Sequence, residues 1–320
     1  MSGIGTAVPV GAGSPPTGDG DDGAPDLPVG VGDLPAGSWP GPPSRRRPWR
    51  RRHRVALVAL AVVVVVLSGA VGAFVYRWDH SGPVPLSSSV AIQRFLAAGG
   101  ARSADPSALQ PAAGVYPYAG SGHEHISLPP RSQTEGPSMP GTISYRSDGC
   151  WVWRVDYSDS HWQSATFCPR GGNLAEVARA GWYRWSFVAL SIADTATFTC
   201  TPEIARPAVL HAGQAFPFSC TGTNDPIRTA PVIVRGTNRY LGLSVVHVGR
   251  QAVVAMHFQE RTTYSGGQRG TNVADVWLAA DDALPLMASW TTSVSSPTFL
   301  GTSTLTGHAT LRLRSLTPRS

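Results

Sequence analysis

The feature that most constrains this chain is one uninterrupted apolar stretch. Val55–Tyr76, VALVALAVVVVVLSGAVGAFVY, contains no charged residue. As an α-helix rising about 1.5 Å per residue it would reach roughly 33 Å, enough to cross a hydrocarbon core of about 30 Å. It exceeds the roughly 7–15 apolar residues of a signal peptide, and the region before it is far longer than a signal's start. The sequence therefore predicts an uncleaved transmembrane helix, with export and cleavage as the alternative.

Arginines cluster immediately before this stretch, and only Arg77 follows it closely. Basic residues that flank a span stay on the cytoplasmic side of the membrane. The bias predicts a single-pass protein of the cell membrane, with residues 1–54 cytoplasmic and the C-terminal domain extracytoplasmic. The clustered arginines are expected to meet anionic membrane lipids, at about 1 kcal/mol each. They are Arg45, Arg46, Arg47, Arg50, Arg51, Arg52 and Arg54.

The segment 1–54 is rich in Pro and Gly and poor in aromatic residues, which predicts a disordered cytoplasmic tail ending in the arginine cluster. The net charge of the whole chain is only +6, and every basic residue is Arg. A nucleic-acid reader needs a concentrated basic face. The part beyond the apolar stretch has no such surplus, so no nucleic-acid partner is predicted.

All four cysteines lie beyond the apolar stretch, and none has the Cys or His spacing of a zinc site. An even number in an oxidising compartment predicts two disulfides. The stretch GCWVWRVDYSDSHWQSATFC alternates like a β-hairpin, and a turn at 158–160 opposes Tyr157 to His161. The same register sets Cys150 across from Cys168, at the separation of about 5.5 Å that a disulfide tolerates.

The second disulfide is then Cys200–Cys220. Between these cysteines lie Pro202, Pro207 and Pro217, and proline cannot donate to a strand ladder. We therefore expect a loop or crossover there rather than a hairpin, stapled by the disulfide.

Residues 77–113 are predicted to form a connector with one short helix. In SVAIQRFLAAGG, Ser89 is the predicted N-cap, Phe95 belongs to the apolar face, and Gly99 and Gly100 end the helix.

From residue 114 onward the signal is almost entirely β. Short runs rich in Val, Ile, Thr and aromatic residues alternate with Gly, Asp, Ser, Asn and Pro breaks, and neither a P-loop nor G-x-G-x-x-G occurs. The last third predicts a meander of antiparallel strands. The expected fold class is a single transmembrane α-helix plus an extracytoplasmic, mainly antiparallel β domain over 114–318, built as a curved sheet or half-barrel.

Five segments follow one another in this domain: GVYPYAGSGHEHIS, DGCWVWR with the later FC, FPFSCTG, DVWLAADDALPL and LRLRSLTP. Their order resembles a group of uncharacterised actinobacterial membrane-anchored or exported proteins, over most of 114–318. That resemblance implies no catalytic residues, because no activity is assigned to the group. Separately, Trp277–Leu286, a Trp-bearing strand before a Leu-Pro-Leu strand, resembles LolA-type carriers and the half-barrels of mycobacterial lipid-carrying lipoproteins, which implies a similar fold.

One cluster has the spacing of a metal site. His123 and His125 project from the same face of a strand, as two ligands of one zinc or copper ion can. A catalytic zinc needs a third protein ligand. His161, His211, His247 or His257 could supply it, but nothing in the sequence brings any of them near. These two candidates are weighed against two surface histidines beside a turn, and no cofactor, metal or catalytic residue is predicted.

Tryptophan is abundant, with 10 in the chain. One interpretation is core, since aromatic side chains dominate buried area. The other is a concave pocket for a lipid or another apolar ligand. The candidate ligand-facing residues are Trp151, Trp153, Trp182, Trp185, Trp277 and Trp290.

Two functions remain. The first is a non-catalytic binding or interaction domain at the outer membrane face, with an envelope lipid, glycan or protein as its partner. The alternative is a metal-dependent envelope hydrolase that uses His123 and His125. The missing third ligand and the missing nucleophile favour the first.

Overall fold

The computed structural model describes part of the chain. Described are residues 49–80, 82–100, 110–170, 173–187, 191–206, 209–225, 230–298 and 300–320. The predicted disordered tail lies almost entirely outside these residues, as do Arg45, Arg46 and Arg47.

The first helix, α1, spans Trp49–His80. Its side chains from 58 to 73 are exposed. The other four arginines of the predicted lipid-facing cluster fall in its first turns, and their side chains lie outside the described set. Within the described part of the chain, no helix combines the length and the apolar character that a membrane crossing needs. The transmembrane span stays a prediction.

The second helix, α2, spans Ser88–Ala97, and fourteen strands follow in the described residues. The strands are β1 Gly114–Tyr116, β2 Tyr118–Ser127, β3 Pro130–Glu135, β4 Gly141–Tyr145, β5 Trp151–Ser158, β6 His161–Arg170, β7 Asn173–Ser186, β8 Ser191–Arg206, β9 Ala215–Asp225, β10 Val232–Val248, β11 Gln251–Gly266, β12 Arg269–Ala279, β13 Pro285–Thr298 and β14 Gly301–Leu313.

These strands form one antiparallel sheet in the order β1-β4-β5-β6-β7-β8-β9-β10-β11-β12-β13-β14-β2-β3. From β4 to β14 each strand pairs with its neighbour in the chain, which confirms the predicted meander. Such neighbours need only short connections. The mainly antiparallel β half-barrel predicted from the sequence is therefore the architecture of this domain.

The two ends of the strand order are joined by the chain itself. β1 and β2 are separated by Pro117 alone, yet β1 pairs with β4 and β2 pairs with β14 and β3. The segment that leads into β4 also bonds to β2, because Met139 N–H donates to the Tyr118 carbonyl and Gly120 N–H donates to the Pro137 carbonyl. The sheet thus curls until its ends come together.

The largest apolar cluster fills the inside of this curl. It contains Trp151 on β5, Val246 on β10, Leu286 on β13 and Leu311 on β14, all buried. These strands are distributed through the whole strand order, so one core holds the curled sheet together. Burial of such side chains contributes about 1.5–3 kcal/mol each.

The β5–β6 hairpin confirms the first disulfide and corrects the turn. Cys150 is bonded to Cys168. At the turn, however, Ser158 pairs with His161 and Tyr157 has no partner in the register. The predicted Tyr157–His161 pair is wrong because only residues 159 and 160 form the turn, which leaves Tyr157 as the extra residue of a β-bulge.

The second disulfide, Cys200–Cys220, is also confirmed. The prediction that no hairpin lies between these cysteines is wrong, because β8 and β9 are adjacent and set Cys200 directly opposite Cys220. Two of the three prolines lie outside the β8–β9 ladder, and Pro207 lies outside the described residues. Pro202 falls in the irregularity of the β7–β8 register, and Pro217 lies beyond the last β8–β9 pair.

Helix α2 begins two residues earlier than predicted and packs on the sheet. Its N-cap is Ser87, whose Oγ accepts from the Val90 N–H at 3.4 Å. Ser89 was predicted for this role, but its hydroxyl contacts the Ser87 hydroxyl instead. Phe95 is buried with Val115 of β1, so the helix covers the first strand of the domain.

Candidate functional site

Three ionisable side chains meet inside the domain. They are Glu124 on β2, Glu135 at the end of β3 and His161 at the start of β6, all buried, and their ligand atoms lie within 4.8 Å of one another. In the strand order β2 and β3 stand at one end and β6 near the other. The cluster therefore lies where the curled sheet closes.

The pairing of β2 with β3 places both carboxylates on one face. Gly122 is opposite Glu135, and Glu124 is opposite Gln133. Side chains two residues apart on a strand share a face, so these four positions point the same way. A Cβ at position 122 would lie 2.7 Å from Glu135 Oε2, and glycine is what leaves room for that carboxylate.

The carboxylates and the imidazole are in direct contact. His161 Nδ1 is hydrogen-bonded to Glu135 Oε1 and lies 3.6 Å from Glu124 Oε1. Gln133 Nε2 donates to Glu124 Oε2 at 2.7 Å. In the described structure Glu135 Oε2 is buried without a hydrogen-bond partner.

A second layer of side chains holds the imidazole. The Gln163 amide contacts His161 Nε2 at 3.1 Å and the Tyr183 hydroxyl at 2.7 Å, through the same amide position. The rings of Tyr157 and Tyr183 lie against the imidazole, with centroids at 4.5 and 3.9 Å. His161 is 0% exposed, so its ring orientation is fixed by packing and by Gln163.

Burial governs the protonation of the cluster. It raises the pKa of Glu124 to about 7, where the charge of Glu135 acts in the same direction and His161 and Gln133 oppose it. It raises the pKa of Glu135 to about 8 and lowers the pKa of His161 to about 4. Removal from water disfavours the charged form of each group. Burial therefore favours the neutral form of both partners in the His161–Glu135 contact.

A small polar pocket adjoins the cluster. Its volume is about 40 Å³, whereas pockets for drug-sized ligands measure about 300–1,000 Å³. Gln133, which bonds to Glu124, and Ser160, which precedes His161, both line it. This pocket has room for a water molecule or an ion and is too small for a lipid chain. The remaining lining residues are Gly82, Pro83, Arg131, Asp159, Arg184, Trp185 and Ser186.

A second polar network lies further along the sheet. Arg179 on β7 donates to both oxygens of Glu260 on β11, at 2.7 and 2.5 Å, although three strands separate β7 from β11 in the strand order. Glu176 accepts from Arg179 and from Arg206. Burial opposes the charge on Glu176, but the two arginines outweigh it and hold its pKa below the usual value. This network of ion pairs links β7 to β11 across the inside of the curled sheet.

The predicted histidine pair does not join either network. His123 is exposed and stacks on His308 with centroids 6.1 Å apart, while His125 contacts Ser132 Oγ at 3.0 Å. Among the described residues, the one cluster of three metal-type side chains contains neither of them. The residue between them, Glu124, points to the opposite face and enters the cluster.

The six candidate ligand-facing tryptophans are distributed around the core. Trp151 is fully buried and stacks on Phe167. Trp277 stacks on His257 at 4.1 Å, and Trp290 meets Tyr157 edge-on at 4.8 Å. Of the six, Trp185 lines the small polar pocket. The remaining positions are half-buried: Trp153 against the main core and Trp182 beneath the Arg184 guanidinium.

Sequence reasoning missed Glu124, Glu135 and the role of His161. The sequence contains a signal that could have identified Glu124. Gly120 and Gly122 lie on the same face of the strand as Glu124, and His123 lies on the opposite face. A Cβ at Gly120 would lie 1.9 Å from the Thr310 carbonyl oxygen. Alternating glycines in a strand mark a face that another chain segment approaches closely.

Fold and cluster together define a β half-barrel with a buried carboxylate–imidazole cluster at its closure. The chain matches no protein-family model, and no curated protein matches it. Among solved structures it is similar to the hypothetical lipoprotein YmcC from Escherichia coli (K12), with 10% identity and a TM-score of 0.28, over 72% of this chain and 99% of that one. Neither fold nor function is carried over at that level. The resemblance to an actinobacterial group is not confirmed by these comparisons.

Proposed function

We propose that the chain is a single-pass membrane protein whose extracytoplasmic β domain is a non-catalytic binding module for the anionic surface of the envelope membrane. The contact is made by one face of the β10–β11 hairpin. The observation that carries the proposal is the exposure of four large aliphatic side chains on that hairpin. They are Leu241, Leu243, Val245 and Val254, here called the exposed hairpin face.

Leu243, Val245 and Val254 of the exposed hairpin face are contiguous, and Leu241 is the extra residue of a β-bulge just before them. Val245 is paired with Val254 and Leu243 with Met256, and directly opposed residues of an antiparallel pair share a face. Leu243 is 65% exposed and Val245 is 62% exposed. Scattered apolar residues on a surface are ordinary, whereas adjacent ones mark an interaction site.

The opposite face of the same hairpin is already used. Val246, Val248 and Ala255 belong to the main core. The hairpin is therefore anchored in the domain by one face and presents the other to the outside.

One edge of the hairpin is also free. β9 pairs with β10 only up to Arg239, and the backbone of Tyr240 still bonds to residues 213 and 214. In the described residues no strand pairs with that side of β10 from residue 241 onward. Exposed apolar edges are an aggregation hazard unless something covers them. A lipid surface would cover both the aliphatic side chains and this edge.

Charge selects the kind of surface. The hairpin from Arg239 to Gln259 contains Arg250 at its turn and no acidic residue. Arginine near an anionic membrane contributes about 1 kcal/mol, and each aliphatic side chain removed from water about 1.5–3 kcal/mol. An anionic bilayer can pair with the Arg250 charge and bury the aliphatic side chains at the same time, whereas a neutral apolar partner can only bury the side chains.

The predicted anchor would hold the domain within reach of the bilayer. Residues 81–87 separate the end of α1 from the start of α2. A chain of that length spans at most about 25 Å when fully extended. The tether makes a weak surface contact effective, because both partners are held at high local concentration.

The test places an environment-sensitive dye on the exposed hairpin face of the full-length chain, through Val245→Cys, after reconstitution in lipid vesicles. In vesicles with anionic lipid we expect a blue-shifted emission and protection from an aqueous quencher. The matched control is Thr302→Cys on β14, an exposed strand position away from the hairpin, which stays accessible. Arg250→Gln reduces the protection at position 245.

Two results would overturn the proposal. One is equal quenching at positions 245 and 302 in anionic vesicles. The other is protection that follows the protein-to-lipid ratio rather than the anionic lipid content, since that would identify a second copy of the chain as the occupant.

The alternative, a metal-dependent hydrolase using His123 and His125, gains no support from the described residues. Both side chains lie on the outer side of β2, where His308 stacks on His123 at 6.1 Å. In the described structure they belong to no group of three ligand atoms within 4.8 Å of one another.

A further inference from the structure

We propose that Glu124, Glu135 and His161 form a structural metal site that fastens the two ends of the curled sheet with a divalent transition-metal ion. The site is independent of the exposed hairpin face.

The donor set is that of a metal site. Two carboxylates and one imidazole suit zinc, manganese and iron in the divalent state. The three ligand atoms already lie within 4.8 Å of one another. The two negative charges that the ionised carboxylates carry match the charge of the ion, so the site becomes neutral when it is loaded.

An unpartnered atom supplies a second, independent observation. Glu135 is 5% exposed, and its Oε2 is buried with no hydrogen-bond partner in the described structure. Buried polar atoms are almost always paired, and an orphan oxygen calls for an explanation. Gly122 leaves the space in which this carboxylate lies. If Glu135 binds a metal ion through one or both oxygens, the unpaired Oε2 gains a partner.

The outer contacts fit a metal-bound imidazole. A ligating histidine donates its other ring N–H to an acceptor, which fixes its tautomer. Here one Gln163 amide position contacts both His161 Nε2 and the Tyr183 hydroxyl. With the amide oxygen in that position, it accepts from the His161 Nε2–H and from Tyr183. Nδ1 then carries no proton and can bind the metal in place of its present contact with Glu135. Amide orientation follows the hydrogen-bond network, so a half-turn of Gln163 completes the arrangement.

The carboxylate side is supported in the same manner. Gln133 donates to Glu124 Oε2 and leaves Oε1 directed at His161. Gln133 also lines the small polar pocket, which gives an ion a route to the cluster. The positive charge of Arg184 at the pocket mouth is offset by Asp159, 3.4 Å away.

Burial points to a structural rather than a catalytic ion. His161 and Glu124 are 0% and 2% exposed. A catalytic metal keeps a position open to substrate, whereas a structural metal is closed by protein. Because the ligands come from β2, β3 and β6, the ion would join strands that are remote in the strand order.

The experiment uses the full-length chain in detergent micelles, stripped with chelator and then titrated with Zn²⁺ and Co²⁺. We expect one equivalent to bind, a rise in Tm on loading, and visible Co²⁺ absorption bands from an imidazole–carboxylate site. Glu135→Gln and His161→Gln should abolish stoichiometric binding. The double variant His123→Gln/His125→Gln removes the neighbouring surface histidines and should bind as the wild type does.

Gln163 gives a positioning test. Gln163→Glu keeps an acceptor toward His161 and should retain the metal, whereas Gln163→Leu should weaken affinity about 10–100-fold. If a ligand variant fails to fold, the proposal is tested by the wild type alone, which should bind one equivalent of Co²⁺ and show the bands of an imidazole–carboxylate site. Substoichiometric binding by the wild type, or binding lost with His123 and His125 instead, would overturn the proposal.

Discussion

At the scale of single residues, glycine and ion-paired carboxylates decide whether the half-barrel closes. The carboxylate of Glu135 lies against β2 only because position 122 has no side chain. The charge of Glu176 is tolerated inside only because Arg179 and Arg206 surround it.

Gly122→Ala is expected to destabilise the domain by about 1–3 kcal/mol, the usual cost of overpacking. The new methyl group would lie 2.7 Å from Glu135 Oε2 and 2.9 Å from Ala309 Cβ. Thermal unfolding of the full chain measures the change. Gly181→Ala is the matched control, since its nearest neighbours are at 3.7 Å, and it should be close to neutral. Equal effects of the two substitutions would show that space at position 122 is not limiting.

Glu176→Gln is expected to cost about 3–5 kcal/mol at pH 7, because it leaves the buried Arg206 and the half-buried Arg179 with one acidic partner fewer. The folded pKa of Glu176 lies below the unfolded value of about 4.5. Its contribution is therefore present above pH 4.5 and is lost as pH falls through the folded pKa. Unfolding of both forms across pH 3–7 should show a gap that narrows on acidification. Asp281→Asn, at an exposed turn, is the control, and a gap that widened in acid would contradict the account.

Residue patterns also show what sequence alone could supply. Alternation places His123 and His125 on one face and Glu124 on the other, but it does not say which face is inside. That depends on β3 and β6, which supply Glu135 and His161 from elsewhere in the sheet. The cluster could not be predicted because it forms only when the sheet closes and brings β6 to β2 and β3. The His-x-His spacing instead pointed to the outer face of β2.

At the scale of elements, hairpins carry most of the predictable information. The β5–β6 hairpin and its disulfide were both predicted, because the strand alternation and the cysteine spacing occur within one short segment. The β8–β9 hairpin was missed because three prolines masked the strands. Pro217 lies beyond the β8–β9 ladder, a detail of register that composition does not contain.

Removal of the second disulfide by Cys200→Ser/Cys220→Ser is expected to lower stability by about 3 kcal/mol, from the loop entropy released in the unfolded chain. The bond joins residues 20 apart in sequence. Cys150→Ser/Cys168→Ser, with a separation of 18, should cost a similar amount. Thermal unfolding under non-reducing conditions compares them. An unchanged Tm for either double variant would show that its strands need no covalent support.

At the scale of the whole molecule, we propose that a membrane anchor precedes a domain that binds the membrane through the exposed hairpin face. The topology follows from seven arginines before the apolar stretch and one directly after it. An alkaline phosphatase fused after Ser320 should be active, because that enzyme needs an oxidising compartment. A well-expressed but inactive fusion would reverse the orientation and remove the setting for both disulfides.

The central claim, that the β10–β11 hairpin lies on an anionic membrane, is tested most directly by hydrogen–deuterium exchange of the full-length chain in nanodiscs. The edge of β10 beyond Tyr240 has no strand partner in the described residues, so the amides on that side of β10 should exchange readily in neutral-lipid discs. With anionic lipid, the account predicts slower exchange confined to residues 240–256, and loss of that protection in Arg239→Gln/Arg250→Gln. Identical exchange of these residues in both kinds of disc would contradict it.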